Sequence, residues 1–525
     1  MIGGRSRMSD QHPRFHAVRQ PERPALIMGD SGLSISYGQM VANADRAAQV
    51  FRRLGLKEGD TVAIHLENQL RYPELCWAAK NSGITYACVS SLSSIDDAAY
   101  VVDNCDAKLL ISSKALADVA VPIALSRSHL RCLMIDGAVN PFQSYEELLA
   151  REPAVAPSGC RRGPSMLYSS GTTGRPKGVR TPLPDEPPEA PPRRLALLVR
   201  EYGLATDTVM VNPGPFYHSA PGRFMMSVHR TGGTVVGFRK FDAESTLQAI
   251  QKYQVTHGVF VPTMFIRMLK LPANVRRRYD LSSLRCAIHL AAPCPIPIKE
   301  QMINWWGPVI KELYGGTEAF GHTFIDSKEW LTHKGSVGRP AAGCRIRILD
   351  EAGNDAPPFT PGLIYMFNGH RFEYYKDPEK TRDVVTADGW ATFGDIGYVD
   401  RDGYLYLTDR QAHMIISGGV NIYPQEAENI LAVHPAVADV AVIGVPHPEL
   451  GEAVKAVVVP TKWPDDPGKL GEELMYFCRK TLSALKCPKS VDFVDALPRN
   501  EAGKLLKHEL RKRYWKEGSS PVRPA

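Results

Sequence analysis

Apolar residues recur with helical spacing at Met40, Ala44, Ala47, Phe51 and Leu54, behind Ser36 and Gln39 in capping-box spacing. The pattern predicts a helix that starts at residue 37 and stops before Gly55. Val62, Ile64 and Leu66 then alternate with other residues, as in a half-buried strand. A helix over 73–80 and a strand over 86–89 follow. The same rhythm returns in a strand over 234–238, a helix over 243–253 and a strand over 258–261. Repeated βαβ units of this kind predict mostly parallel sheets between layers of helices.

Two stretches break the rhythm. The six prolines from Pro182 to Pro192 forbid regular helix or a central strand and predict an exposed polyproline loop. Asp402-Gly403, set between aliphatic and aromatic runs, predicts a hairpin turn. Beyond Arg410 the periodicity predicts a helix over 425–431, strands over 437–445 and 453–459, a helix over 472–482 and a strand over 491–494. Together they make a separate α+β unit of roughly 110 residues.

A length of 525 residues agrees with more than one domain. The balance of 44% hydrophobic and 23% charged residues is that of a soluble globular protein. No apolar run approaches the ~18 residues of a membrane span, and the first residues lack the apolar segment of a secretory signal. Ten scattered cysteines without a C-x-x-C pair argue for reduced thiols and a cytoplasmic protein rather than a zinc site. The net charge of +7 is spread thinly, which disfavours nucleic acid and suits a small polyanion such as a nucleotide.

The segment Tyr168–Gly178 makes that ligand specific. It combines Ser169, Ser170, Thr172 and Thr173 with Gly171, Gly174 and Lys177, directly after the apolar pair Met166-Leu167. Glycines let the backbone approach an anion, and hydroxyls, N–H groups and an ammonium donate to phosphate oxygens. The spacing is neither that of a P-loop nor of a dinucleotide fingerprint.

With this loop the chain resembles the adenylate-forming enzymes, which include acyl- and aryl-CoA ligases, luciferases and peptide-synthetase adenylation domains. Their phosphate loop reads [YF]-T-S-G-[ST]-T-G-x-P-K-G, and this chain departs only at Ser169. Further motifs of the family stand in the expected order: Phe216-Tyr217-His218-Ser219, Tyr314-Gly315-Gly316-Thr317-Glu318, Trp390 to Asp395, Thr408-Asp409-Arg410, Ser417 to Pro424 and Pro498 to Lys504. The resemblance implies an α/β fold: a large N-terminal domain, 1–409, of parallel αβαβα-type sheets plus a β-subdomain, and a small mobile α+β C-terminal domain, 410–525.

The resemblance also implies an ATP-dependent acid–CoA ligase, with ATP, Mg²⁺ and coenzyme A as cofactors or co-substrates. Ser169 to Lys177 would hold the β- and γ-phosphates, Thr317 would contact the α-phosphate, and Glu318 would hold the metal. Tyr314, Gly315 and Gly316 would border the nucleotide, while Asp395 and Arg410 would take the ribose. Lys504 would bridge carboxylate and α-phosphate during adenylation. His218 would gate or orient at the mouth of the acid pocket. Tyr217 replaces the aspartate with which amino-acid-activating relatives bind an ammonium, which disfavours an amino-acid substrate.

The acid pocket would be lined by Tyr217, Val261, Met264, His289, Ala291 and Ala292. These are mainly apolar or small residues, without a fixed cation for a second carboxylate, so a fatty, aromatic or alicyclic acid is expected. Ser417, Gly418 and Gly419 would line the CoA tunnel, and Ala412 would stand at the hinge, where relatives commonly carry a charged residue. An acyl-AMP ligase that loads a carrier protein, an oxygenase of the luciferase kind and a non-catalytic nucleotide-binding paralogue are the alternatives. Partners expected are a small carboxylic acid and CoA, with a homodimer allowed, no nucleic acid and no transmembrane segment.

Overall fold

Ser36 caps the helix Tyr37–Arg53 as its spacing requires: its hydroxyl accepts from the Gln39 N–H, and the Gln39 side chain accepts from the Ser36 N–H. Met40, Ala44, Ala47 and Phe51 form its buried face. The computed structural model describes residues 10–169, 176–410, 413–418, 420–499 and 505–515. Ser170, Gly171, Thr172, Thr173, Gly174, Ala412, Gly419 and Lys504 lie outside them, as does the Arg410 side chain.

Among the described residues the strands form three sheets, of thirteen, eight and five strands. The eight-stranded sheet has a parallel centre of Ser165–Ser169, Thr85–Val89, Thr61–His65, Ala107–Ser113 and Arg131–Ile135. All of Thr61–His65 is buried, where alternation had predicted a half-exposed strand. A parallel sheet covered by helices on both faces has no wet side, so Ala63 and His65 are as enclosed as their neighbours.

The thirteen-stranded sheet joins two halves. Pro24–Met28, Thr234–Gly237, Val209–Asn212, His257–Phe260, Cys286–His289 and Ile310–Gly315 run parallel. From His322–Asp326 onward the pairing turns antiparallel, through Ser336–Pro340, Leu405–Arg410, Asp395–Val399, Gly362–Phe367 and Arg345–Leu349. That second half is the expected β-subdomain. Its Asp402-Gly403 turn connects antiparallel strands, with Gly403 at φ 82°.

The five-stranded sheet holds the C-terminal unit, built on Val437–His447 and Gly451–Pro460. Its second helix runs Pro467–Arg479, five residues ahead of the apolar pattern, because Asp466 caps it and Pro467 suits its first turn. The Lys270 ammonium reaches across from the N-terminal unit to the Val437 and Ala438 carbonyls, at 3.1 and 3.2 Å. No helix among the described residues is long and apolar enough to cross a membrane.

The proline-rich stretch is not a free loop. The Arg162 guanidinium donates to the Ala190 carbonyl and the Glu186 carboxylate, each at 2.6 Å, and Arg230 donates to the Pro188 carbonyl at 2.9 Å. Pro192 then starts the helix Arg193–Tyr202. Polyproline geometry leaves backbone carbonyls unpaired, and two arginines from the body use them as acceptors.

Burial of histidines sets the acid limit of this fold. Desolvation holds His12 down to about 3 and His65, His218, His229 and His322 to about 4, against 6.5 when unfolded. Between pH 6.5 and 4 the unfolded chain therefore binds protons that the folded chain refuses, and stability falls as pH falls. Each group contributes up to about 1.4 kcal/mol per pH unit. Glu74, raised to about 7 by burial, opposes this with one proton of the other sign. The melting temperature should drop steeply below pH 6, with net proton uptake on unfolding; a flat profile down to pH 4.5 would contradict the burial of these rings.

Candidate active site

Loops at the carboxyl ends of the parallel strands meet in one cleft of about 2480 Å³. This is where the topology of an open parallel sheet places ligands. Pro215 to His218 follow Val209–Asn212, Val261 follows His257–Phe260, Leu290 to Ala292 follow Cys286–His289, and Tyr314 to Glu318 close Ile310–Gly315. Two alanines here hold left-handed backbone, Ala291 at φ 73° and Ala319 at φ 59°. Non-glycine residues take that conformation at a cost, and such strain gathers at ligand-binding turns.

Ser169 and Lys177 are paired residues of an antiparallel hairpin. The Lys177 ammonium stands 5.1 Å from the centre of the Tyr374 ring, and burial followed by Lys380 lowers its pKa. The Tyr374 hydroxyl donates to Glu318 Oε1 at 2.8 Å. Tyr374 thus ties the phosphate-side lysine to the buried glutamate, a link that its surroundings in sequence, Phe372 to Lys376, do not advertise. Strand pairing of Tyr374 with Val179 brings it there.

Gly316 is required by packing. A β-carbon there would come within 2.2 Å of the Phe393 ring and 2.8 Å of Glu318 Oε2. Phe393 stacks on Phe320 at 4.1 Å and meets Tyr314 edge-on. Gly394 turns at φ 76° and starts the strand whose first residue is Asp395. The Tyr314 hydroxyl donates to Asp395 Oδ2 at 2.7 Å, so two separate motifs meet at one hydrogen bond.

His218 precedes the helix Ser219–Thr231, its ring 4.7 Å from that of Tyr217. With its pKa held to about 4 by burial, it is neutral at pH 7. Asn68 holds the turn in front of it: its Oδ1 accepts from the Phe216 N–H at 2.7 Å, and its Nδ2 donates to the Gly214 and Phe238 carbonyls. Nothing around Asn68 in sequence marks that task.

Tyr217, Val261, Met264, Ala291 and Ala292 all line the cleft, as do Thr317, Gly315 and Gly316. His289 does not. It is fully buried, with Nε2 3.4 Å from Glu312 and its ring edge-on to Phe265 at 5.7 Å. Burial and the neighbouring Lys299 hold it well below its ordinary pKa, while Lys299 pairs with Glu312 at 2.6 Å. It belongs to the core behind the pocket wall.

Ser417 is buried in the C-terminal sheet, and the Gly418 N–H donates to the Leu450 carbonyl at 2.8 Å. Their neighbours Ile416 and Asn421 line the cleft, whereas these two do not. Arg499 and Leu505, which flank Lys504 on its two sides, pair as a β-bridge and also line it.

Taken as a whole, the cleft also carries cations. Arg194, Arg223 and Lys80 line the cleft as well, Arg223 one helical turn beyond the Phe216–Ser219 motif and the other two outside the motifs. Arg223 Nη2 donates to the Thr317 carbonyl at 2.7 Å.

The family model described as AMP-binding enzyme matches residues 14–375, and that of the AMP-binding enzyme C-terminal domain matches 426–504. The chain is 32% identical over 506 residues to a feruloyl-CoA synthase of an Amycolatopsis species, covering 96% of this chain and 98% of that one. It is 32% identical over 503 residues to a 2-succinylbenzoate–CoA ligase of Bacillus licheniformis, covering 95% and 99%. Among solved structures, ATP-bound MatB of Rhodopseudomonas palustris superposes with a TM-score of 0.81 at 27% identity, covering 96% and 99%.

Proposed function

The chain belongs to the AMP-binding enzyme family, and from that premise we propose that it is an AMP-forming acid–thiol ligase. It would activate a carboxylic acid with ATP and transfer the acyl group to coenzyme A. The observation that carries this reading is the single cleft onto which Lys177, Glu318, Asp395, the acid pocket and the C-terminal residues Asn421, Arg499 and Leu505 all open.

In the first step a carboxylate oxygen attacks the α-phosphorus and pyrophosphate leaves. In the second, the thiol sulfur attacks the acyl carbonyl and AMP leaves. Both steps gather negative charge, so catalysis rests on positioning and fixed positive charge. Ser169 to Lys177 would hold the outer phosphates, Thr317 the α-phosphate, and Asp395, braced by Tyr314, the ribose with Arg410. Glu318 suits Mg²⁺: it lines the cleft, Oε1 accepts from Tyr374, and Oε2 remains as a hard oxygen donor. When bound, that ion would neutralise phosphate charge.

His218, neutral and enclosed, fits orienting the acid better than moving a proton, because the acid is already ionised at pH 7. The pocket walls from Val261, Met264 and Leu290 to Ala292 favour a bulky fatty, aromatic or alicyclic framework. Alternation of the C-terminal domain about residues 410–412 would exchange Lys504 for the Ser417–Gly419 segment between steps. Ten free cysteines fit a reducing cytoplasm.

The test is isotope exchange between ATP and pyrophosphate, with and without acid, followed by thioester detection. Acid-dependent exchange without CoA, then acyl-CoA formation when CoA is added, is the expected result. Exchange without CoA thioester would favour the carrier-protein loader, and no exchange with any acid would favour the binding paralogue.

A further inference from the structure

Lys177 and Glu318 bring opposite charges into the same cleft and do not pair. Among the described residues Lys177 has no hydrogen bond or ion pair, and its ammonium lies over the Tyr374 ring, 5.1 Å from the centre. Glu318 is buried and likewise has no ion pair with a described residue, and its Oε1 accepts from the Tyr374 hydroxyl at 2.8 Å. One tyrosine therefore meets the cation with its face and the anion with its tip.

Such avoidance needs a cause. Opposite charges attract more strongly in an enclosed cleft than in water, and a lysine swings freely on its four-carbon stem. The other carboxylates near Lys177 are already engaged. Asp383 stands 3.3 Å from the Lys380 ammonium, and Asp377 caps the helix Pro378–Val384 by accepting from the Lys380 N–H at 2.9 Å. Glu318 is thus the partner that Lys177 would take if nothing stood between them. A lysine held in that way would offer a phosphate no free charge, and the carboxylate would offer a metal ion less.

The fold mounts Tyr374 from behind. The strand Glu373–Tyr374 pairs with Val179 and Arg180, just beyond Lys177. Side chains alternate across a strand, so Tyr374 is buried while Glu373 is exposed. On the outside, Arg180 Nε donates to Glu373 at 2.6 Å, and its guanidinium lies 4.1 Å from the centre of the Tyr375 ring. The Tyr375 hydroxyl and the Lys376 ammonium both donate to the Asp106 carboxylate at 2.7 Å. On the inside, the Tyr374 ring meets Phe372 edge-on at 5.5 Å, and its N–H donates to Thr381 Oγ1 at 3.0 Å. A two-residue strand clamped at so many points holds the tyrosine between its anchors in one place.

Resting on the ligase reading above, in which Lys177 serves the outer phosphates and Glu318 the metal, we infer that Tyr374 is a positioning residue that keeps these two charges apart, so that each stays available for its own ligand. The ring face holds the ammonium loosely, and a phosphate, which offers a charge-assisted hydrogen bond, takes it from there. The hydroxyl fixes Oε1 of Glu318 and leaves Oε2 for the metal.

The test is ATP binding, measured by isothermal titration calorimetry in EDTA, where Glu318 has no metal to serve. Tyr374→Ala should weaken binding about 10-fold, between the effect of an exposed ion pair and that of an enclosed one. Adding Glu318→Gln to that variant should bring affinity back to within about two-fold of Glu318→Gln alone, because the competing charge is gone. A merely structural loss would not be rescued in this way. Tyr374→Phe keeps the ring and should bind ATP within about two-fold of wild type. If Tyr374→Ala melts below the assay temperature, Tyr374→Thr, which suits a strand, takes its place in the same cycle. Unchanged affinity on truncation, no rescue by Glu318→Gln, or a loss with Tyr374→Phe as large as with Tyr374→Ala would overturn the inference and leave the ligase reading intact. So would wild-type binding that required magnesium, since Lys177 would then not be available on its own. A wild-type chain that bound ATP neither with nor without magnesium would overturn the ligase reading itself.

Discussion

Lys504→Ala should lower acyl-adenylate formation on the order of 10²- to 10³-fold while leaving thioester formation from supplied acyl-AMP within a few-fold of wild type. The asymmetry follows from where charge gathers. When a carboxylate attacks an α-phosphate, two anions converge, and only a cation placed between them at that moment lowers the barrier. In the second step the acyl carbonyl is already activated and AMP departs as a stabilised phosphate, so a lysine between acid and phosphate has less to offset. Arg499 and Leu505, on either side of this residue, border the cleft, and the Arg499 guanidinium is held by Asp439 at 2.6 and 2.7 Å. The two half-reactions are measured separately, by pyrophosphate release and by CoA consumption from synthetic acyl-AMP. Equal loss in both would remove the lysine from adenylation chemistry and leave it a structural role.

Local signals in the sequence suffice where one element carries its own punctuation. Ser36 and Gln39 close a helix start that four buried apolar positions then continue, so the helix to Arg53 needs no tertiary knowledge. The strand Thr61–His65 is legible in the sequence but its full burial is not, because alternation reports one sheet and the second helical layer comes from elsewhere in the chain. The start of the helix at Pro467 is hidden from apolar spacing because its first turn, Pro467 to Leu470, is carried by a cap. Motif residues gathered as their order implied, from Lys177 through Glu318 to Asp395, since strand ends bring them together.

Residues outside any motif stayed invisible for a physical reason. Arg194 follows a proline-rich stretch and Arg223 sits inside a helix, each an ordinary surface cation in one dimension. Only the folded cleft reveals that neither pairs with a described carboxylate. Tyr374 and Asn68 are likewise defined by partners 56 and 148 positions away, at Glu318 and Phe216. His289 errs the other way: a motif position suggested a pocket residue, but the side chain turns into the core against Glu312 and Phe265.

Glu428→Ala is expected to destabilise the C-terminal unit by about 3–5 kcal/mol and to damage both half-reactions together. Glu428 and Lys507 are buried and stand 2.7 Å apart, and Glu428 Oε1 also accepts from the Val442 N–H at 2.7 Å. Burial raises the Glu428 pKa against the pull of Lys507, so the carboxylate depends on its partner to stay charged. Removing it strands an ammonium in a nearly dry site at the start of the helix Lys507–Lys512. That helix packs on Val437–His447, and Leu510 fills a cluster with Ala441, Ile443, Val457 and Leu497. Losing the pair therefore loosens the segment that carries Lys504 and the sheet that carries Ser417 alike. Differential scanning calorimetry should show an earlier C-terminal transition, and both half-reactions should fall as it advances. Replacing both partners by apolar residues, Glu428→Leu with Lys507→Met, should recover most of the stability, because no charge is left buried. If the single variant melted like wild type, or lost only adenylation, the pair would not be the anchor of this tail, and the half-reaction asymmetry expected of Lys504→Ala would no longer distinguish a chemical from a structural loss.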